Sequence, residues 1–306
     1  MRCLRAYFHT FRSLFRWIKL GALRNYSLYT KLVLILFYLG FRPHRWLEKY
    51  QGLVGGAFRY PDTGSLEHAS FLIRRHRLGG GMHDAAELAE CGFMDLSNYI
   101  LINQDECDRF VANISEEKMY NAQVPIAGTK VAFPNAQHNY WSIGFREWMR
   151  ADFVRVLSCD RVQRSIKDYF GRQKPMLYSV NNMVTFPSQN PSPVVSWHRD
   201  HDTDNFCALF VYWTEVSERN GATAIKIGSH LVHDGDFETK YLEGDAGSAY
   251  LLDSFAYHKG NSSLLHPRVV TWFRFAPYVG SACFFNGDIS ELETYCSLLT
   301  ESGWSD

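Results

Sequence analysis

Val194-Val195-Ser196-Trp197-His198-Arg199-Asp200, then Phe255-Ala256-Tyr257-His258-Lys259-Gly260-Asn261, then Arg268 ten residues after His258, bound the part of the chain from which its fold is read. An imidazole and a carboxylate stand two residues apart, a second imidazole follows sixty residues on, and a guanidinium lies shortly beyond. Around them, short runs rich in β-branched and aromatic residues cover 176–186, 194–199, 206–213, 222–228, 246–253 and 268–276, with Asn, Pro, Gly and Asp turns between. Short strands punctuated this way predict an antiparallel sandwich or barrel. We expect a mainly β protein with flanking helices: a double-stranded β-helix, or cupin-like jelly roll, with a metal at its open mouth and helices backing one sheet.

The residue types explain the spacing. Alternate side chains of a strand point to one face, so His198 and Asp200 can reach the same metal while Arg199 points away. Two His and one carboxylate on one face of an ion, with the opposite face open, are the ligands of a non-haem iron(II) site. The second His must come from elsewhere in the chain, and His258 lies in a strand-like segment followed by Arg268. A chelating 2-oxo acid fills two open positions and O2 a third. The far carboxylate of such an acid is best gripped by the planar fork of an Arg. Arg268 opens a run that reads as a buried strand, where a cation needs an anionic partner. These residues point to an iron(II)- and 2-oxoglutarate-dependent dioxygenase.

Ser196-Trp197-His198-Arg199-Asp200, Tyr212-Trp213-Thr214-Glu215-Val216 through Asn220-Gly221, Gly228-Ser229-His230, and Leu252-Asp253 through His258, Asn261 and Arg268 follow one another in the order of a known family. The chain resembles the phytanoyl-CoA dioxygenase family over about residues 86–278, most strongly from 194 to 276. The resemblance implies that His198, Asp200 and His258 bind iron, that Arg268 binds 2-oxoglutarate, and that Trp213 packs beside this cosubstrate. One departure is Arg199, which stands where many members carry a polar neutral residue such as Gln. Related halogenases replace the carboxylate ligand by a small residue; Asp200 is present, so hydroxylation is the expected outcome.

Other polar residues compete for roles. His230, after Gly228-Ser229, is the rival for the second His ligand, but only His258 has an Arg at the required offset. His201, Asp202 and Asp204 read as loop residues, with Asp202 a candidate substrate contact. Asp253 is expected to hydrogen-bond backbone, Asn261 to occupy a turn, and His138 to lie in a surface loop or border a substrate pocket.

Outside the β-rich part, two domains of unequal kind are expected. Residues 1–50 form a basic amphipathic helical segment, and 51–306 form the jelly-roll oxygenase domain, with helical support at 84–170 and a β core at 176–278. Net charge is zero overall, yet residues 1–50 carry ten Lys or Arg against Glu48, and the remainder carries 22 basic residues against 31 acidic ones. Leu4, Tyr7, Phe8, Phe11, Leu14, Phe15 and Ile18 recur at helical steps with cations between them. Three readings stay open: a helical cap on the catalytic domain, a helix docked peripherally on a membrane, and a mitochondrial transit peptide. The apolar run 32–39 is far shorter than the roughly twenty residues that span a bilayer. No nucleic-acid motif accompanies the charge, so no nucleic-acid partner is expected.

Gly52 to His83 reads as a loop-rich connection, with Gly79-Gly80-Gly81 a turn. Helices are expected at 84–91, 104–120 and 145–170, the second capped by Asn103 and exposing Glu116 and Glu117, and a last one from Asp288 to Thr300. Seven scattered cysteines without a Cys-x-x-Cys pair suit a reducing compartment, hence a cytoplasmic location, at a membrane surface if the helix docks. The substrate class is a small molecule or a lipid-like compound. Two alternatives remain: a non-catalytic jelly-roll scaffold, and a cupin metalloenzyme that does not use 2-oxoglutarate.

Overall fold

The computed structural model describes Arg74 and residues 82–117, 119–121, 130–131, 140–187, 196–200, 205–261, 263, 265–276 and 289–304. The basic N-terminal segment, the triple glycine, His138 and the 201–204 loop with His201, Asp202 and Asp204 lie outside the described residues. Among the described residues, no helix is long and apolar enough to cross a membrane.

Antiparallel strands build two sheets. In chain order the strands are β1 Phe93–Asp95, β2 Met119–Asn121, β3 Lys130–Val131, β4 Tyr140–Ile143, β5 Met176–Thr185, β6 Cys207–Tyr212, β7 Thr223–Lys226, β8 Thr239–Leu242, β9 Ala249–Leu252, β10 His258–Gly260 and β11 Arg268–Ala276. The larger sheet runs β1-β9-β6-β11-β5-β4-β2-β3 and the smaller β10-β7-β8. This is the mainly antiparallel jelly-roll architecture with flanking helices that the strand pattern predicts. The long runs at β5, β6 and β11 match their expected bounds closely, because their β-branched and aromatic residues fit a sheet covered on both faces.

Strand β11 divides the interior. Val269, Phe273 and Phe275 face one way, into a core shared with the helices; Val270 and its neighbours Met183, Phe210 and Tyr212 face the other, toward the smaller sheet. Three helices supply much of the first core: α1 Ala86–Cys91, α2 Gln104–Ser115 and α3 Arg150–Leu157. Phe153 of α3 meets Phe273 edge-on at 4.8 Å. Helix α2 is capped as expected, with the Asn103 side chain accepting from the Glu106 N–H and the Glu106 carboxylate accepting from the Asn103 N–H.

Two expected helices are cut short. Helix α2 ends at Ser115 rather than near 120, because Met119–Asn121 pairs with β4 and is drawn into the sheet. The stretch 145–170 is not one helix: a 3-10 turn at Glu147–Met149 leads into α3, and a separate helix α4 spans Asp160–Phe170. The break falls at Ser158-Cys159, where Cys159 is extended. The freed Leu157 carbonyl accepts from the Gln163 amide and the Trp304 indole, so the interruption leaves it satisfied. The last helix, α5 Ile289–Glu301, agrees with expectation and packs on β5 and α3.

Arg74 was expected in a loop, yet it is helical and wholly buried. Its guanidinium makes a two-pronged pair with Asp253, Nε to Oδ2 at 2.6 Å and Nη2 to Oδ1 at 2.8 Å, beneath the Phe255 ring. Tyr169 of α4 donates to Oδ2 at 2.5 Å and the Phe255 N–H to Oδ1 at 3.1 Å. Asp253 thus makes the expected backbone bond, but its main partner is a cation. Burial would push its carboxyl up; the Arg74 charge and hydrogen bonds outweigh that and hold it below the usual carboxylate value. A folded value below the unfolded one, about 4, contributes stability that is complete above that pH and is lost as pH falls through the depressed folded value. Asp253→Asn strands the Arg74 charge in the core, and urea denaturation is expected to show a loss of about 3–5 kcal/mol.

Candidate metal centre

His198 and His258 are joined through their backbones, each N–H donating to the other's carbonyl at 3.0 Å. This antiparallel bridge sets the two rings side by side, centroids 4.4 Å apart. Asp200 is fixed by its own N–H, which donates to the Ser254 carbonyl at 2.9 Å. The ligand run therefore lies along the strand that carries the second His.

Side-chain bonds set the tautomers. Nδ1 of His198 lies 2.9 Å from the Ser196 carbonyl oxygen, and Nδ1 of His258 lies 2.9 Å from that of Ala256. A carbonyl only accepts, so each Nδ1 carries a proton, and Nε2 is the ring nitrogen whose lone pair the neutral imidazole offers to a metal. Both Nε2 atoms face the Asp200 carboxylate: Nε2 of His198 is 3.9 Å from Oδ1 and Nε2 of His258 is 3.9 Å from Oδ2. One donor atom from each residue lies within 4.8 Å of the others, the arrangement of a metal-binding group. Burial lowers the His258 pKa, the nearby Asp200 opposing it, and this favours the neutral imidazole that ligation needs. Two imidazoles with outer-shell carbonyl bonds and one carboxylate suit a divalent transition metal.

His230 does not join this group. It is buried against α1, its Nε2 2.8 Å from the Ala89 carbonyl and its Nδ1 close beside Gly92. Arg199 points away from the donors, as alternation requires, and is buried: Nη1 donates at 2.7 Å to the carbonyls of both Ser229 and Phe255, and the guanidinium lies 3.8 Å from the Tyr257 ring centre. Asn261 donates to the Glu218 carbonyl, as a turn residue would.

Arg268 occupies a second, deeper position. It is 2% exposed, and its Nη2 donates to the Thr223 hydroxyl at 3.1 Å. The Thr223 oxygen also accepts from Tyr212, whose ring lies 5.4 Å below the guanidinium. Among the described residues no carboxylate pairs with Arg268, and its Nε has no partner. Its Nη1 lies near Gly260, two residues along β10 from His258, so the cation sits about 7 Å along the strand from the donor group.

Trp213 corrects an expectation. It stacks on Phe110 at 3.7 Å and donates to Thr271 at 2.7 Å, on the helix side of the sheet and on the opposite face from Arg268. Neighbouring strand residues face opposite ways, and it is Tyr212 that lies beside the cation. Tyr212, Thr223 and Gly221 were not foreseen, since their nearness depends on strand register. Nor was Arg274, whose Nη2 lies 3.4 Å from Oδ2 of Asp200. A signal for it existed: six residues after Arg268 in one strand, it must share that face.

The chain has the fold of the non-heme alpha ketoglutarate dependent epimerase SnoN from nogalamycin biosynthesis, solved with Fe3+, alpha ketoglutarate and nogalamycin RO. The TM-score is 0.51 at 13% identity, covering 67% of this chain and 88% of that one. Weaker likenesses are to the carbocyclase SnoK of nogalamycin biosynthesis (TM-score 0.49, 12% identity, 63% and 82% covered) and to HygX from Streptomyces hygroscopicus (0.44, 13%, 62% and 84%). No family model matches the sequence, and no curated protein matches it.

Gly221 leaves room for the cation. At φ +81 it occupies the left-handed region, and a Cβ there would stand 2.8 Å from Cδ of Arg268. Gly221→Ala is expected to cost about 1–2 kcal/mol of backbone strain and to weaken calorimetric binding of succinate, used as a dicarboxylate probe. Gly171→Ala, at φ +59 with open space around the added carbon, is expected to cost stability without affecting the probe.

Proposed function

We propose that this chain is an iron(II)- and 2-oxoglutarate-dependent oxygenase that hydroxylates a small-molecule or lipid-like substrate. The observation that carries the reading is the pairing of two features: His198 and His258 converging with Asp200, and a buried Arg268 that pairs with no carboxylate among the described residues, about 7 Å along the strand from those donors and within the span of a five-carbon diacid. SnoN, which shares the fold, is described with Fe3+ and alpha ketoglutarate, and this supports the same pair of groups here. The order of motifs resembles the phytanoyl-CoA dioxygenase family and supports the same roles for these four residues.

His198, Asp200 and His258 would hold the metal on one face. With 2-oxoglutarate and O2, iron(II) supplies when bound the oxidising chemistry that puts oxygen into a C–H bond while the oxo acid is decarboxylated to succinate and CO2. Arg268 grips the far carboxylate, its charge neutralised by the ligand rather than by the protein. The Thr223 hydroxyl, already engaged by Arg268 and Tyr212, orients the guanidinium. Val270, Met183 and Tyr212 are buried around it and exclude water from the deep end. Asp200 retains the carboxylate ligand, which favours hydroxylation over halogenation.

Anaerobic addition of iron(II) and then 2-oxoglutarate to purified protein is expected to produce the visible charge-transfer band of the chelate. Arg268→Ala should weaken 2-oxoglutarate at least about 30-fold, equivalent to roughly 2 kcal/mol, and His258→Ala should remove the band. Asp200→Ala should abolish succinate formation; turnover at the wild-type rate in that variant would refute the ligand set.

A further inference from the structure

The two faces of the smaller sheet differ in chemistry. His258 and its cross-strand partner Ile225 are buried on the inner face, the one that carries the metal donor. Alternation turns the next residues along these strands, Lys259 on β10 and Lys226 on β7, to the outer face. Trp197 joins them there, because the bridge between His198 and His258 sets it opposite Lys259. Both ammonium groups lie 5.1 Å from the centre of its ring. The indole is 37% exposed, and both lysines are half-buried.

Neither cation is neutralised by the fold. Among the described residues no carboxylate pairs with Lys226 or Lys259; Lys226 gives one N–H to the Phe237 carbonyl at 3.2 Å, and an ammonium has three. An open tryptophan flanked by lysines whose stems lie along it is the side-chain combination favoured where apolar and aqueous phases meet. The exposed acids Asp234, Asp236 and Glu238 lie on the loop that Lys226 holds, and bound the patch on that side. Two further features give the patch a direction. The His198 side chain, next in sequence to Trp197, is 38% exposed, so the metal centre opens beside the patch. Residues 1–50 of the same chain carry ten Lys or Arg against Glu48. The chain from there to Arg74, at about 3.5 Å per extended residue, is long enough for both basic parts to meet one surface.

We propose that Trp197, Lys226 and Lys259 form a docking surface for an anionic lipid bilayer. The indole sits at the level of the headgroups, and the two ammonium groups pair with their phosphates and carboxylates. Charge complementarity selects this occupant, since the patch and the N-terminal segment are basic together and one anionic plane satisfies both. Docking sets the open, His198 side of the metal centre beside the bilayer. The consequence, a lipid-like substrate taken from the membrane, rests on the oxygenase reading; the surface itself stands on its own three residues.

The test is flotation of the full-length protein with phosphatidylcholine vesicles containing about one-third phosphatidylserine, and with phosphatidylcholine alone. We expect binding to the anionic vesicles that falls as salt is added. Lys226→Gln and Lys259→Gln together should weaken it about 25-fold, roughly fivefold per lysine at an anionic surface, and Trp197→Ala several-fold. Residues 1–50 are the same in every variant, so these losses report the folded surface. Bromine-labelled lipids then place the indole: Trp197→Phe, which keeps an aromatic ring, should remove part of the fluorescence quenching seen in the wild type. No binding to anionic vesicles, binding unchanged in both the lysine double variant and Trp197→Ala, or full displacement by an equal concentration of soluble glycerophosphoserine, which marks a site for small anions, would overturn the proposal. If the wild type docks and loses docking in these variants while no chelate band forms with iron(II) and 2-oxoglutarate, the oxygenase reading falls and the docking surface stands.

Discussion

Two hydrogen bonds between the backbones of His198 and His258 hold the candidate metal centre together. They join segments sixty residues apart in the chain, and they do so at the two residues whose side chains must meet. Since β10 also pairs with β7, the ligand run is added to the edge of the smaller sheet, and the donors inherit the rigidity of a ladder. Arg199 reinforces the same junction from the other side of the strand. Its guanidinium binds the Phe255 carbonyl and covers Tyr257, so the residue between the first two donors grips the stretch that leads to the third. Packing thus accounts for an arginine at this position, beside the candidate metal centre.

The division of labour within β11 follows from a period of two. One set of side chains anchors the helical core through Phe273 and Phe275; the other, with Arg268, Val270 and Trp272, faces the smaller sheet. A slip of one residue would bury the cations among the helices and turn the aromatic anchors toward the smaller sheet, so the apolar core fixes the register that sets Arg268 on the side of the candidate metal centre. Trp213 illustrates the constraint: the parity of β6 turns it onto Phe110 in the helical core and leaves Tyr212 beside Arg268.

What could be read from residues alone were features with a strong local cause. The β-rich runs, the Asn103 cap and the His-x-Asp spacing carry their structure within a few neighbours. The short strand Met119–Asn121 does not; pairing with β4 overrides the helical pattern preceding it. Likewise the break at Ser158-Cys159 depends on Gln163 and Trp304, one of them nearly a hundred and fifty residues away, taking up the Leu157 carbonyl. At the site, residue identity indicated which groups could ligate, while only register disclosed that Thr223, Tyr212 and Gly221 surround Arg268.

Three buried arginines show why that last group differs in kind. Arg74 meets a carboxylate in two-pronged contact between aromatic rings, and Arg199 meets backbone carbonyls over a tyrosine ring; each has its partners built into the fold. Arg268 is buried as deeply as Arg74, yet among the described residues it has a hydroxyl for a partner and no anion. An isolated charge removed from water costs several kcal/mol, and this sequence twice demonstrates the means to compensate one. Stability forgone at this single position, near the strand that carries His258, is what the proposed role of Arg268 would put to use: an arriving carboxylate would recover the electrostatic energy that folding alone did not.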